Sequence, residues 1–286
     1  MALFGAVEIG GTRTHLAVGV TPDDLMARAE INTTLPEDTL EGIIRYFGEH
    51  PVDAVGVACF GPLQLSPGHR SYGTMRSTPK PGWSWTPVHA RLSAALGVPV
   101  AMELDVNGSA LGEGRWGAAT GMDHYSYVTV GTGIGGGSVV GGRPIGGERH
   151  PEMGHITVSR MEGDGFAGRC PYHGACLEGL ASGPALEDRF GQAGNWAGND
   201  RVLDLVTHYL AQGMANLVYT VAPERIIVGG GVTALPGFHA RLREAVGSRL
   251  NDYPGEPDLD LLISKPGLGD LSGLAGGLVL AERVAA

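Results

Sequence analysis

The chain is short of basic charge, of cysteine and of long apolar runs. Lysine and arginine total 20 against 30 aspartates and glutamates, for a net charge of -10. Binding to a nucleic-acid backbone rests on basic surface, so nucleic acid is excluded as a bulk partner. A small phosphorylated ligand needs only a local nest of N–H groups and stays open. Three cysteines make no disulfide framework, and Cys59, inside the apolar run VDAVGVACF, reads as a core thiol. No run of about 18 uncharged apolar residues occurs, so no membrane span is expected. Glu8 follows the opening apolar residues at once, which leaves no signal peptide and makes the cytoplasm the expected compartment.

Glycine is what the chain has in excess, 48 of 286 residues, with no G-X-Y period. That excludes collagen and points to tight turns and close backbone approaches. Apolar residues at 43% against 17% charged exclude wholesale disorder. The length suits two domains better than one.

The pattern alternates strand and helix. Residues 3–9 and 15–20 read as a hairpin around Gly10-Gly11-Thr12, with a third strand at 31–35. A helix opens at Pro36 and runs to about residue 50, a strand covers 52–60, and 62–85 reads as a long Pro/Gly/Ser loop of the kind that is usually functional. A helix at 87–96 and a strand at 98–102 lead to Asp105 and a helix over 107–116. The plan then repeats: strand 125–130, glycine turn 131–137, strand from 138. Helix over 184–220, strand 225–228, helix 238–250, strand 259–263 and a closing helix at 272–281 complete the expectation.

Three glycine turns follow strands, at 10–12, 131–136 and 229–231. None fits the P-loop pattern. Gly131, Gly133 and Gly136 satisfy G-x-G-x-x-G, but that fingerprint should open a helix, and residues 137–140 look like a hairpin return. A phosphate-cradling turn is the better reading, with Thr12 and Thr132 as added donors; a nicotinamide-dependent oxidoreductase is the alternative. Asp105, between strand and helix, is either a helix cap or a general base toward a hydroxyl nucleophile. Cys170-x-x-His173-x-x-Cys176 with His155 offers four N/S ligands, the set of a closed, structural tetrahedral zinc site, against a buried thiol pair as the plain reading. Such a metal would clip a polar, glycine-rich loop, 156–175, with His150 as a lesser ligand candidate. Glu148, Glu152 and Glu178 flank the cluster, and paired carboxylates with an imidazole make a sugar clamp.

These motifs resemble the ROK family of sugar kinases, and within it the zinc-containing bacterial fructokinases. The resemblance is carried by Glu8-Ile9-Gly10-Gly11-Thr12-Arg13, by residues 105–113 (DVNGSALGE), 131–137, 147–155 (GERHPEMGH) and 170–184 (CPYHGACLEGLASGP), and by STPKPGW at 77–83. It implies a duplicated α/β fold of the actin-like ATPase (ribonuclease H-like) type, two domains around a cleft. Domain one would be 1–118 joined by the closing helix 272–286, and domain two 119–271. It implies transfer of the ATP γ-phosphate to the 6-hydroxyl of fructose, with Mg²⁺ and a structural Zn²⁺.

By the same resemblance Asp105 is the catalytic base. Glu152, His155 and Glu178 contact the sugar, with Asn107 and the loop residues Thr78, Lys80, Gly82 and Trp83 nearby. His155, Cys170, His173 and Cys176 hold zinc. Gly10, Gly11, Thr12, Arg13, Thr132, Gly133, Pro184, Gly229 and Gly230 face the nucleotide. A homodimer is implied. Two departures stand out. Arg13 replaces the commoner Lys, and Leu104 stands where family glucokinases have Asn before the catalytic Asp, which favours fructose over glucose. Kinases for mannose, glucose or N-acetylmannosamine are alternatives. So is a nonenzymatic sugar-responsive regulator, although such relatives carry an N-terminal helix-turn-helix and here the first glycine turn begins at residue 10.

Overall fold

A computed structural model of the chain describes every residue except Met1, Gly147, Glu148, Pro254 and Glu256, and the side chain of Asn195. Glu148, one of the candidate clamp carboxylates, therefore lies outside the described residues. The chain divides into two compact units: Met1–Gly121 with Arg143–His150 and Gly267–Ala286, and Met122–Gly142 with Pro151–Pro266.

In the first unit β1 (Phe4–Ile9) and β2 (Arg13–Thr21) form the expected hairpin, Ile9 opposite Thr14. The third strand, β3 (Asp24–Asn32), starts earlier and runs longer than the 31–35 expected. It pairs antiparallel with β2 at the sheet edge, and every second side chain is exposed. Charged residues on that open face hide its apolar half from a simple reading. Then come α1 (Pro36–Glu49), β4 (Ala54–Cys59), α2 (Val88–Leu96), β7 (Val100–Leu104) and α3 (Asp105–Trp116). The sheet order is β3-β2-β1-β4-β7, with β1, β4 and β7 parallel. The long loop is not structureless: β5 (Leu63–Gln64) and β6 (Thr74–Met75) pair within it after a cis Gly61–Pro62 bond.

The second unit repeats the plan. β8 (Tyr125–Val130) and β9 (Ile134–Val140) form an antiparallel hairpin, Val130 opposite Ile134. The short β10 (Arg143–Pro144) is the edge strand beside β9 in the same sheet, and α4 (Leu177–Ala181) and α5 (Gly183–Phe190) follow. Next come α6 (Asp200–Val221), β11 (Arg225–Gly229), α7 (Phe238–Leu250), α8 (Leu259–Leu262) and β12 (Ile263–Ser264). Strands β9-β8-β11-β12 match β2-β1-β4-β7 in order and direction. The helix expected over 184–220 is two helices, because Gly191, Gly194 and Gly198 interrupt it; Gly191 and Gly198 take positive φ. The strand expected at 259–263 is mostly one helical turn, capped by the Asp258 carboxylate on the Asp260 and Leu261 N–H groups.

The last helix, α9 (Ser272–Ala285), belongs to the first unit and packs on α3, β1 and β4. Glycine makes this contact possible. A Cβ on Gly276 would stand 2.0 Å from the Gly108 carbonyl oxygen, and one on Gly56 would stand 1.9 Å from that of Gly277. Buried Glu113 fastens the same seam. Its carboxylate accepts from Ala118 N (2.7 Å), Gly267 N (2.9 Å), Leu268 N (3.1 Å) and Ser272 Oγ (2.6 Å). Four donors are what a fully buried carboxylate needs to offset its lost hydration.

Candidate active site

In the first unit the parallel strands deliver two carboxylates. Asp105 begins α3, directly after β7. Leu104 is the N-cap and supplies no side-chain acceptor, so the Asp105 carboxylate takes up the Val106 N–H at 2.8 Å. That bond covers one open amide of the helix, which is part of the cap reading. Burial nonetheless raises the Asp105 pKa above the ordinary aspartate value, with the Val106 bond acting against it. Glu8, on β1, was absent from the expected site residues. Its pKa is raised to about 7, first by burial and then by the negative charges of Asp105 and Asp270. The carboxyl lies against Gly273 in the first turn of α9, where a Cβ would stand 2.1 Å from the Glu8 carboxyl carbon. A buried, mutually repelling set of carboxylates is a functional signature. Its sequence signal was Glu8 itself, at the head of the glycine-turn motif.

Other expected residues of this unit take definite positions. Asn107 is buried and its amide donates to Glu103 Oε1 at 3.0 Å. Gly10 N–H bonds Arg13 O at 2.9 Å to close the turn that exposes Gly11 and Thr12. Trp83 is completely buried, its Nε1 donating to Thr34 O at 2.8 Å and its ring edge-on to Phe60. It holds the loop and presents no surface to a ligand. Gly82 takes φ of +80° beside Leu35 and Pro36. Thr78 N–H donates to Ser84 Oγ, and Thr78 Oγ1 accepts from Lys80 N–H. His150 Nε2 accepts from Leu63 N–H at 3.3 Å, and His150 is not in the metal-ligand cluster.

In the second unit the β8–β9 turn returns as a strand, so residues 131–136 do not have the helix that a dinucleotide fingerprint requires. The glycine segments gather there. Gly183 N–H donates to Gly131 O at 2.8 Å, at the start of α5 where Pro184 follows. Gly230, with φ of +95°, comes so close to Val130 that a Cβ would meet its carbonyl at 2.5 Å. Glu178 joins the turn to the metal segment: its Oε2 accepts from Ile134 N–H at 3.0 Å and lies against Gly133.

The donor atoms of His155, Cys170, His173 and Cys176 all lie within 4.8 Å of one another. Cys170 Sγ is 3.6 Å from the Nδ1 atoms of His155 and His173, and Cys176 Sγ is 3.6 Å from His155 Nδ1. Tetrahedral zinc with bonds of about 2.3 Å to sulfur and 2.0 Å to nitrogen sets S and N roughly 3.6 Å apart. The residues therefore fit the metal. Local folding arranges them: Cys170 and Gly174 exchange backbone hydrogen bonds, and Cys176 caps α4 by accepting from Gly179 N–H. Glu152 is exposed, three residues before His155.

The loop between His155 and Cys170 has a second anchor besides the ligand cluster. Asp164 pairs with Arg189 of α5 at 2.7 Å, and both side chains are under a tenth exposed. Tyr209 of α6 donates its hydroxyl to Asp164, and Arg189 stacks on Phe166 at 4.2 Å. These partners outweigh burial and lower the Asp164 carboxyl to about 2.

The ROK family model matches residues 4–284. The chain is 40% identical over 281 residues to a fructokinase of Pediococcus pentosaceus, covering 98% of each. It is 39% identical over 289 residues to a fructokinase of Zymomonas mobilis, covering 98% of this chain and 96% of that one. Among solved structures, a ROK hexokinase from Thermus thermophilus superposes with a TM-score of 0.76 at 29% identity, over 98% of each chain. A ROK glucokinase from Streptomyces griseus, in complex with glucose and AMPPNP, gives 0.80 at 26% identity, over 98% of this chain and 99% of that one. With a family model spanning nearly its whole length and two α/β units built on one repeated plan, the chain belongs to the ROK family.

Proposed function

We propose that the protein transfers the γ-phosphoryl group of MgATP to the 6-hydroxyl of D-fructose, with Asp105 as general base. The single observation that carries this reading is the pair Glu8 and Asp105 in the first unit. Burial raises the pKa of both carboxylates: Glu8 sits on β1 just before the 10–12 turn and Asp105 begins α3 after β7, and the Asp105 charge adds to the Glu8 shift. A base toward an alcohol benefits from a raised pKa, because its affinity for the transferred proton is then greater. Asp105 takes the hydroxyl proton as the sugar oxygen attacks phosphorus. In the first unit the backbone N–H groups of the 10–12 turn with the Thr12 hydroxyl, and in the second unit those of the 131–133 turn with the Thr132 hydroxyl, are suited to bind phosphate.

The donor chemistry suits magnesium, which takes one or two carboxylates and fills its shell with water and phosphate oxygens. Glu8 is the candidate carboxylate, with the Asp270 charge acting on it. When bound, the metal would neutralise charge on the phosphates and draw Glu8 into its ionised form. In the second unit, zinc on His155, Cys170, His173 and Cys176 would fix the segment that carries Glu152 and Glu178. His155 meets both cysteines through Nδ1, which leaves Nε2 to donate to a sugar oxygen. Glu152 and Glu178 accept from sugar hydroxyls, Glu178 through the oxygen that Ile134 does not use. In the first unit Asn107 and the loop residues Thr78, Lys80 and Gly82 are the substrate-side candidates, with Trp83 as their buried support. Pro184, Gly229 and Gly230 face the nucleotide. Identity of 39–40% with fructokinases over nearly the full chain supports fructose as substrate, as does Leu104. The cytoplasmic homodimer implied by the family belongs to the same proposal.

Asp105→Asn tests the assignment. Turnover should fall by roughly 10²- to 10⁴-fold with sugar affinity and fold retained; near-normal turnover would reject Asp105 as the base. Parallel kcat/KM values for fructose, mannose, glucose and N-acetylmannosamine test the substrate, and a preference for any but fructose would overturn that part.

A further inference from the structure

A glycine turn that cradles phosphate works best with a fixed cation beside it. In this sequence Arg13 is the obvious candidate, since it follows Gly-Gly-Thr directly. The structure gives it another partner. Its guanidinium pairs with Glu30 of β3, and His15 Nδ1 lies 3.5 Å from the second oxygen of that carboxylate. Arg13 is thus engaged across the β2–β3 ladder, with its side chain 57% exposed.

The cation at the turn is Lys80. Its Nζ donates to Gly11 O at 2.6 Å and to Thr33 O at 3.0 Å. Thr33 N–H in turn bonds Thr12 O at 2.9 Å, so the ammonium is tied to both sides of the turn. An ammonium has three donors. Two go to neutral carbonyls, and no carboxylate lies within ion-pair distance of Lys80 among the described residues. Its charge is uncompensated and one donor is available. The backbone that carries it is held by buried Trp83 and by the reciprocal Thr78–Ser84 bonds. Trp83 N–H also bonds Lys80 O at 3.2 Å. Elsewhere the chain strongly prefers arginine: its only lysines are Lys80 and Lys265, against 18 arginines. A compact ammonium has one donor for each of the two carbonyls and a third for another acceptor, whereas a larger planar guanidinium would reach them with different geometry.

We propose that Lys80, rather than Arg13, is the catalytic cation that binds the transferring phosphoryl group at the 10–12 turn. The inference rests on the kinase reading above and moves Lys80 from the sugar to the phosphate. In the step itself the sugar oxygen forms a bond to the γ-phosphorus and gives its proton to Asp105. The bond from phosphorus to the β,γ-bridging oxygen breaks, and its electron pair leaves with ADP. Lys80 keeps its protons throughout and donates a hydrogen bond to the equatorial oxygens, where charge gathers.

The test compares AMPPNP with ADP, which lacks the γ-group, by calorimetry on the full chain with magnesium. Lys80→Met removes charge and donors. Lys80→Gln keeps amide donors for the two carbonyls and removes the charge. Both should weaken AMPPNP by roughly 10- to 100-fold, the size of a charge-assisted hydrogen bond, and ADP by under about threefold. The kcat should fall while sugar KM holds, and Lys80→Arg should recover part of it. Equal losses for the two nucleotides, or a raised sugar KM at constant kcat, would overturn the proposal in favour of a structural or sugar-binding role. Should the uncharged variants not fold, ¹³C-lysine in the wild-type protein gives two sets of side-chain signals, assigned with Lys265→Arg. The Lys80 Cε signal should move with AMPPNP and not with ADP; equal responses would overturn the assignment. Wild-type protein that phosphorylates a hexose yet shows unchanged nucleotide discrimination on losing Lys80 refutes this inference alone. Wild-type protein that binds neither nucleotide refutes the kinase reading with it.

Discussion

Asp164→Asn should destabilise the segment between His155 and Cys170 by about 2–4 kcal/mol at neutral pH. The lower bound comes from the carboxyl itself. Its pKa of about 2, against an ordinary 3.8, is a depression of nearly two units, and each unit is worth about 1.4 kcal/mol. The upper bound adds the cost to Arg189, whose side chain is 8% exposed and would keep its charge without a counterion. Because folding lowers this pKa, the stabilisation is complete above the unfolded aspartate value near 4. It is lost as pH falls through 4 toward 2. Wild type and variant should therefore differ at pH 7 and converge near pH 2. Native-state hydrogen exchange reads the effect at the Met161 amide, which donates to Tyr209 Oη, and at the Phe166 amide, which donates to Asp164. Chelated protein should be used at each pH, so that proton-driven metal loss does not enter. A gap below about 0.5 kcal/mol at pH 7 would refute the reasoning, because surface pairs reach that size and buried ones should exceed it. So would an equal gap at both pH values. Arg189→Met in the Asp164→Asn background should recover part of the loss, since it removes the stranded charge.

Chelation of the wild-type protein should speed exchange at the Cys170 and Gly174 amides, which close the metal knuckle, and raise sugar KM. Met161 and Phe166 should stay protected; loosening of the whole segment would show that Asp164 holds nothing without metal. Glu8→Gln tests the carboxylate pair through pH. The folded protein holds the Glu8 proton up to about pH 7 against an ordinary 4.5, so this group makes stability fall as pH rises between those values. In magnesium-free buffer the variant should raise Tm at pH 8 and leave it nearly unchanged at pH 4. An equal shift at both would mean that the Glu8 charge is not repelled by its surroundings.

The parts legible in the sequence were those written in contiguous residues. Strand, glycine turn and returning strand occupy fewer than 20 positions at each end of the duplication, and the antiparallel pairing follows from the turn. Cys170, His173 and Cys176 are brought together within one short knuckle, so spacing alone identified a ligand set. Asp105 could be read because a strand delivers it to a helix start, where a carboxylate is either a cap or a base. What stayed hidden depends on partners far along the chain. Asp164 looks like any loop aspartate until Arg189 and Tyr209 arrive from 25 and 45 residues away. Glu8 looks like an isolated charge in a strand until Asp105 and Asp270 come near it. The case of Arg13 and Lys80 is the most instructive. The family resemblance set Arg13 toward the nucleotide, but its guanidinium pairs with Glu30 of β3, and the loop returning after residue 62 puts Lys80 on Gly11 from 69 residues away. Charge near a glycine turn is thus decided by what the neighbouring strand neutralises, and neither the strand's true extent nor its register was visible in a pattern that alternates charged and apolar residues.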